Sequence, residues 1–319
     1  MGSSMLFYWL SNDPLILLYS SQRTPEFGDL LPDARLYRLP YYHWHVSADQ
    51  VEAYHLQELD RHPQHVLHHL INERNVWLDL KARGVPAVFC NHDSFLDERL
   101  FTVPLKRERR FDAVYNARMN PFKRHTLARD IPSLLMIGGV QTQGDSHEYF
   151  ESVRAAMPEA HFTHADDRRY YSPEEVAAAL ALARVGLCLS ACEGGMYAAV
   201  EYLLCGLPVV STASRGGRDE WFDSEFVRVV PDDAGAVRAA VAELIALDLS
   251  PHRIRQQTIH KMWEHRRRFL DLGQAIYRQE IADRDFAREW YERFFNKMGH
   301  WRDPAAVMDF LGQDTSVRS

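Results

Sequence analysis

Between residues 111 and 230 short apolar runs alternate with stretches whose apolar positions recur at helical spacing. The runs at 111–116 (FDAVYN), 133–140 (SLLMIGGV) and 161–164 (HFTH) predict strands, and the segments 121–129, 148–157 and 173–183 predict helices. Ser172, Pro173 and Glu175 mark one helix start, with Ser at the N-cap, Pro at N1 and Glu at N3. In the stretch 187–222 an apolar strand runs into a Glu-Gly-Gly turn, followed by a helix, a Gly-Leu-Pro turn, a second buried strand and a Gly-Gly turn. Residues 231–247 add a helix. Alternation of this kind predicts a parallel sheet covered on both faces.

The first 110 residues are less regular. Residues 15–20 (LILLYS) and 35–39 predict strands, and 41–45 (YYHWH) forms an aromatic run able to line a cleft. Residues 50–80 read as two helices divided near Pro63, and 87–90 as a buried strand. That strand ends in Asn91-His92-Asp93-Ser94, a polar cluster where open α/β sheets place their ligands. From residue 251 the chain reads as long charged helices that wrap a domain rather than build a site, and 312–319 as a frayed tail.

Composition narrows the function. The net charge of −7 removes the bulk electrostatic case for nucleic acid. The basic run at 106–110 reads as a solvated face near a domain boundary. Cys90, Cys188, Cys192 and Cys205 lie in apolar strand or helix patterns without metal spacing, which suits a reducing compartment. His62, His65, His68 and His69 have mixed spacing and read as a solvated face, not as metal ligands. The apolar segment 5–18 is interrupted at Ser11-Asn12-Asp13-Pro14 and is too short to span a bilayer. The opening MGSS reads as a cloning remnant, making Met5 the first native residue or a domain boundary.

Chemistry concentrates in the 187–222 stretch. Glu193 and Glu201 are eight apart, an advance of about 800° on a helix, so both carboxylates are expected on one face. The turn before the helix should present N–H groups and the positive end of the helix dipole, an anion site. Gly194 and Gly195 let a phosphate approach the backbone. Arg118 and Lys123, just past the 111–116 strand, can clamp a diphosphate. Carboxylates for hydroxyls, with two cations and a helix end for a diphosphate, describe a nucleoside-diphosphate sugar.

These residues resemble the retaining GT-B glycosyltransferases of family 4, also called glycosyl transferases group 1. The family's Glu-x7-Glu pattern is met in order by Ser190, Glu193, Gly194, Glu201, Gly206, Pro208, Val209, Val210, Gly216, Gly217 and Glu220. Its Arg-x4-Lys pair is met by Arg118 and Lys123, and the run from Pro86 to His92 is similar to the setting of a family histidine at the reacting sugar. The chain departs at Met196, where the pattern has glycine, at Tyr202, where it has alanine, and by one extra residue between Val210 and Gly216.

The resemblance implies a GT-B fold, two Rossmann-like α/β domains facing a cleft, with C-terminal helices crossing back onto the first. The expected divisions are 5–110, a short acceptor-side domain; 111–250, the nucleotide-sugar domain; 251–311, the returning helices; and 312–319, the tail. It implies retaining transfer of a sugar to a glycan or other hydroxyl acceptor, as in polysaccharide biosynthesis, with no cofactor and no metal. Arg118, Lys123 and the N–H groups of residues 195–197, with Gly194, Gly195, Met196 and Tyr197 forming the turn, would hold the diphosphate. Glu193 would orient sugar hydroxyls and Glu201 the ribose, with Asn116 nearby and the base near His164. His92 would act at the sugar or the acceptor, and Ser190 and the Gly216-Gly217 turn would support the site. The expected location is cytoplasmic, with room for peripheral contact at the inner membrane face, a neighbouring domain or a second subunit. A nucleotide-sugar 2-epimerase and a noncatalytic nucleotide-sugar-binding domain are the alternatives.

Overall fold

The structure, a computed structural model, describes residues 7–20, 33–105, 108–140, 145–164, 171–280 and 283–293. Residues 1–4, Lys106 and Arg107 of the basic run, and the tail at 312–319 lie outside them. The chain forms two compact units, residues 1–96 with 262–319, and residues 97–261.

The first unit is built on a sheet of β1 (Phe7–Asn12), β2 (Leu15–Ser20), β3 (Leu36–Tyr41), β4 (Val66–Leu67), β5 (His69–Ile71) and β6 (Ala87–Phe89), ordered β1-β2-β3-β5-β6 with β4 also on β3. Only β1 runs antiparallel, pairing with β2. Strand β1 was not expected. Ser11-Asn12-Asp13-Pro14, read as an interruption, closes a hairpin in which Asn12 faces Leu15. Helix α1 (Ala48–Arg61) begins at a Ser47–Gln50 capping box, and α2 (Arg74–Ala82) follows β5.

The second helix expected over 64–80 is therefore two short strands and a shorter helix. A brief, fully buried apolar run has the same pattern in either state. Because this run is interior, His62, His65 and His69 are buried and do not form the solvated face expected of them.

The second unit carries β7 (Phe111–Asn116), β8 (Leu134–Ile137), β9 (His161–Phe162), β10 (Ala183–Cys188), β11 (Val209–Thr212) and β12 (Val227–Val230). All are parallel, in the order β12-β11-β10-β7-β8-β9. Helices α3 (His147–Ala156), α4 (Pro173–Leu180), α5 (Tyr197–Leu204) and α6 (Ala234–Leu247) connect or follow them. The start of α4 has the expected capping box, Ser172 with Glu175. The helix expected over 121–129 is instead two 3-10 turns, Pro121–Lys123 and His125–Ala128. Arg124 between them has a left-handed backbone (φ 54°), which no continuous helix accommodates.

Helix α7 (Pro251–Glu280) is followed by α8 (Phe286–Arg293). Phe269, Leu270, Ile276, Tyr277, Phe286 and Trp290 from these helices pack with Tyr8, Leu10, Ile16, Leu18, Tyr37 and Leu39 in one core of the first unit. Among the described residues no helix is long and apolar enough to cross a membrane.

One packing detail bears on the site. Gly186 in β10 lies under the ring of Tyr202 in α5, and a Cβ on Gly186 would stand 2.3 Å from Tyr202 Cδ2. Gly186→Ala is expected to destabilise the protein by about 1–3 kcal/mol through overpacking, and Gly186→Ala with Tyr202→Phe to recover none of it. Urea unfolding of both variants checks this, and parental stability in Gly186→Ala would contradict the contact.

Candidate functional site

Strand order locates the site. β7, β8 and β9 extend to one side of the second unit's sheet, and β10, β11 and β12 to the other. The order reverses between β7 and β10, and ligands of open α/β sheets bind at the carboxyl ends of the strands flanking such a reversal. The loops leaving those two ends carry Arg118 and Lys123 after β7, and Ser190 and Glu193 after β10.

These loops meet through charge. Lys123 Nζ donates to Glu193 Oε1, and Ser190 Oγ donates to the same oxygen at 2.5 Å. Lys123 and Glu193 keep only 9% and 6% of their surface exposed, so the pair sits in a largely dry environment. Lys123 Nζ lies 4.8 Å from the Phe122 ring centroid, and Arg118 Cζ lies 5.7 Å from it. Arg118 also faces Asp145 at 3.4 Å and remains about a third exposed (31%). Tyr115 is buried beneath them and donates its hydroxyl to the Lys123 carbonyl. Burial, and then Glu193, push its phenol well above the usual range, so it remains a neutral donor.

Glu193 does not stand on the helix. Helix α5 begins at Tyr197, so Glu193 belongs to the preceding loop, and the shared helical face expected of the two glutamates is not what relates them. The loop is held by a neighbouring turn. Glu193 N donates to Arg215 O at 2.8 Å, Arg215 N to Ala191 O at 3.0 Å and Gly217 N to Gly194 O at 2.9 Å. Gly216 sits between these bonds with φ 113°, and a Cβ there would fall 1.5 Å from Glu193 O. Only glycine fits that backbone and that approach. Met196 occupies the N-cap of α5 and forms no side-chain cap. Gly194 is buried, while Gly195 and Tyr197 are partly exposed.

Glu201 lies one turn into α5 and is 2% exposed. Asn116 Nδ2 donates to its Oε2 at 3.1 Å, and the Asn116 backbone N–H donates to Tyr202 Oη at 2.6 Å. The end of β7 is thus tied to the helix bearing Glu201. Beyond β8, Gly138 N donates to His164 Nδ1 at 3.3 Å, and Gly139 approaches the same side chain.

Two arginines beside the site escaped the sequence reading. Arg218 is fully buried and donates to the carbonyls of Cys188 (3.2 Å), Ser190 (2.9 Å) and Thr212 (2.7 Å). Arg124 donates to Leu189 O, Thr212 Oγ1 and Asp232. The left-handed backbone at Arg124 costs roughly 1 kcal/mol for an L-residue. Adjacency to Lys123 and to Gly217 was the one available signal for these arginines.

His92 belongs to the first unit, where it opens a 3-10 turn after β6. Its Nδ1 lies 3.1 Å from Asn72 Oδ1 and its Nε2 3.5 Å from Asp93 Oδ1, and its ring packs on Tyr41 and His43. Tyr41 ends β3, Asn72 follows β5 and His92 follows β6, so the aromatic run and the polar cluster meet at the carboxyl edge of this sheet. Burial, and then His43, hold the His92 pKa well below the ordinary histidine value despite Asp93. Burial lowers His43 to about 4. Of the cysteines, Cys90 and Cys188 are buried thiols pushed up to about 12, whereas Cys192 is partly exposed.

The parallel-sheet architecture matches solved structures of the GT-B glycosyltransferase fold, among them the following three. HepE of Anabaena, solved with UDP, superposes with a TM-score of 0.54 at 14% identity, over 77% of this chain and 72% of that one. TarM of S. aureus gives 0.59 at 12% identity, over 81% and 54%. Sucrose-phosphate synthase of Thermosynechococcus elongatus gives 0.54 at 21%, over 79% and 69%. Residues 122–261, which include Lys123, Glu193 and Glu201, match the model of the family Glycosyl transferases group 1. That match lies within the second unit and spans less than half of the chain. No curated protein matches the chain.

The histidines of the first unit set a pH dependence. His43, His69 and His92 are all lowered by burial, so between about pH 6.5 and their folded values the unfolded chain binds protons that the folded chain does not. Stability should therefore fall as pH drops below about 6.5, each such histidine adding up to about 1.4 kcal/mol per pH unit. Urea unfolding from pH 7.5 to 5 should show this slope, and His43→Phe should flatten it; equal slopes in both proteins would refute the account.

Proposed function

We propose that the protein transfers a sugar from a nucleoside-diphosphate sugar to an acceptor hydroxyl with retention at the anomeric carbon. The observation that carries this reading is the contact of Lys123 with Glu193 at the strand-order reversal, beside the Asn116–Glu201 pair. The first pair joins a cation suited to a diphosphate to a carboxylate suited to sugar hydroxyls. The second offers a carboxylate and an amide to a ribose.

In this reading Lys123 turns from Glu193 to the diphosphate when the donor enters. Glu193 is then released to accept hydrogen bonds from the sugar. Arg118 and Lys123, with the N–H groups at the start of α5, stabilise the negative charge that grows on the leaving diphosphate. Ser190 keeps one Glu193 oxygen in place, leaving the other for the sugar. Glu201 takes ribose hydroxyls, and the base rests towards His164. Positive charge comes from side chains and a helix end, so the proposed step draws on no metal and no cofactor. Neutral His92 is assigned to the sugar or the acceptor. The acceptor is a glycan or another hydroxyl compound, and the proposed setting is the cytoplasm. The solved complex of HepE with UDP-glucose supports a nucleotide-sugar donor for this fold.

A thermal-shift panel of UDP, GDP, ADP, dTDP and CMP tests donor binding, since a ligand at about 100 times its dissociation constant stabilises by about 2.7 kcal/mol. Glu193→Ala and Lys123→Ala should each cost roughly 2–4 kcal/mol of transition-state stabilisation. Near-parental transfer rates in both variants would overturn the assignment. An epimerised nucleotide sugar as the product, in place of a glycoside, would favour the epimerase alternative.

A further inference from the structure

Arg124 follows Lys123 directly and is the junction of two 3-10 turns, with its N–H on Pro121 O at 3.0 Å and its carbonyl taking Leu127 N–H at 3.0 Å. Its left-handed backbone (φ 54°, ψ 43°) is one that glycine would adopt without strain. An arginine at such a position points to a task for its side chain. That side chain spans the sheet's carboxyl edge. Nε donates to Leu189 O at 2.6 Å, Nη2 to Thr212 Oγ1 at 2.6 Å and Nη1 to Asp232 Oδ2 at 2.5 Å.

Those partners come from three places. Leu189 follows β10 and precedes Ser190, which holds Glu193. Thr212 ends β11, and its own hydroxyl also donates to Leu189 O at 3.1 Å. Asp232 follows β12. One planar guanidinium therefore ties the loop after β7 to the ends of β10, β11 and β12. Its rigid fork of donors suits this geometry, which a lysine could not reproduce. Because Arg124 and Lys123 are consecutive, fixing one residue to Leu189 fixes the other relative to Ser190 and Glu193.

We propose that Arg124 is a positioning residue for the diphosphate, holding the Lys123 turn against the Leu189–Ser190 segment so that Lys123 and Glu193 face one bound phosphate–sugar unit. The inference rests on the function proposed above. It assigns Arg124 no contact with the donor. Its effect is confined to the phosphate part of the ligand, because the ribose and base groups, Glu201, Asn116 and His164, are held by other bonds.

The test compares a nucleoside diphosphate with its monophosphate by titration calorimetry, using the tightest binder among UDP, GDP, ADP and dTDP. The parental protein should prefer the diphosphate. In Arg124→Gly, which relieves the backbone and removes the guanidinium, that preference should shrink by about tenfold or more. Monophosphate affinity should stay unchanged, and Arg124→Lys should not restore the preference. Arg129→Ala, removing a neighbouring exposed cation, should leave both affinities as they are. A general folding defect would weaken both ligands together, so equal losses in Arg124→Gly would overturn the inference, as would an unchanged preference. An equal effect from Arg129→Ala would assign the preference to bulk charge and also overturn it. A parental protein that binds none of the four diphosphates would overturn the proposed function, and this inference with it.

Discussion

A lysine and a glutamate from two different loops share their charges at the end of a parallel sheet, and much of the second unit's architecture serves that contact. Each charge alone would be costly in so dry a place, and losing one partner strands the other. The pair is therefore tolerated only while both loops hold their positions. The glutamate loop is fixed by Ser190 and by backbone bonds to Arg215 and Gly217, and this lacing exists because Gly216 lets two backbones approach within a distance that forbids a Cβ. The lysine turn is fixed from below by Tyr115 and laterally by Arg124.

The strand ends supply the second constraint. Parallel strands that stop together leave carbonyl groups pointing at the site, and buried carbonyls need donors. Arg218 meets three of them at once, from Cys188, Ser190 and Thr212. The buried Arg218 guanidinium thus supports the backbone at the strand ends. Arg118 and Lys123 both lie beside the Phe122 ring.

The sequence makes the second unit's sheet legible because its strands are interior apolar runs bounded by clear punctuation. The Ser172–Glu175 cap and the 111–116 strand lie where pattern and chemistry place them. The first unit is harder to read. Residues 66–71 are too short and too buried for periodicity to separate strand from helix, so the neighbouring histidines looked solvated when His62, His65 and His69 are interior. At the site, residue types were readable and their arrangement was not. Spacing related Glu193 to Glu201 through a helix, whereas the fold relates Glu193 to Lys123, seventy positions away, through the topology of the sheet. Arg218 acts through backbone carbonyls, and Arg124 through one carbonyl and the side chains of Thr212 and Asp232, and no spacing in the sequence reports such partners.

Tyr202 shows how a departure from the family pattern can be absorbed. The pattern places alanine after the second glutamate, and a phenol there needs both room and a hydrogen-bond partner. Room comes from Gly186, which lies directly under the ring. The partner is the N–H of Asn116 at the end of β7, whose side chain in turn donates to Glu201. The enlarged side chain thus lies in the chain of contacts that orients the carboxylate beside it. Position 202 and position 186 are coupled through contact, so their effects on stability should not add. In this protein the glutamate–asparagine pair depends on a tyrosine and a glycine from two neighbouring elements, and its geometry is a property of that packing as much as of the motif.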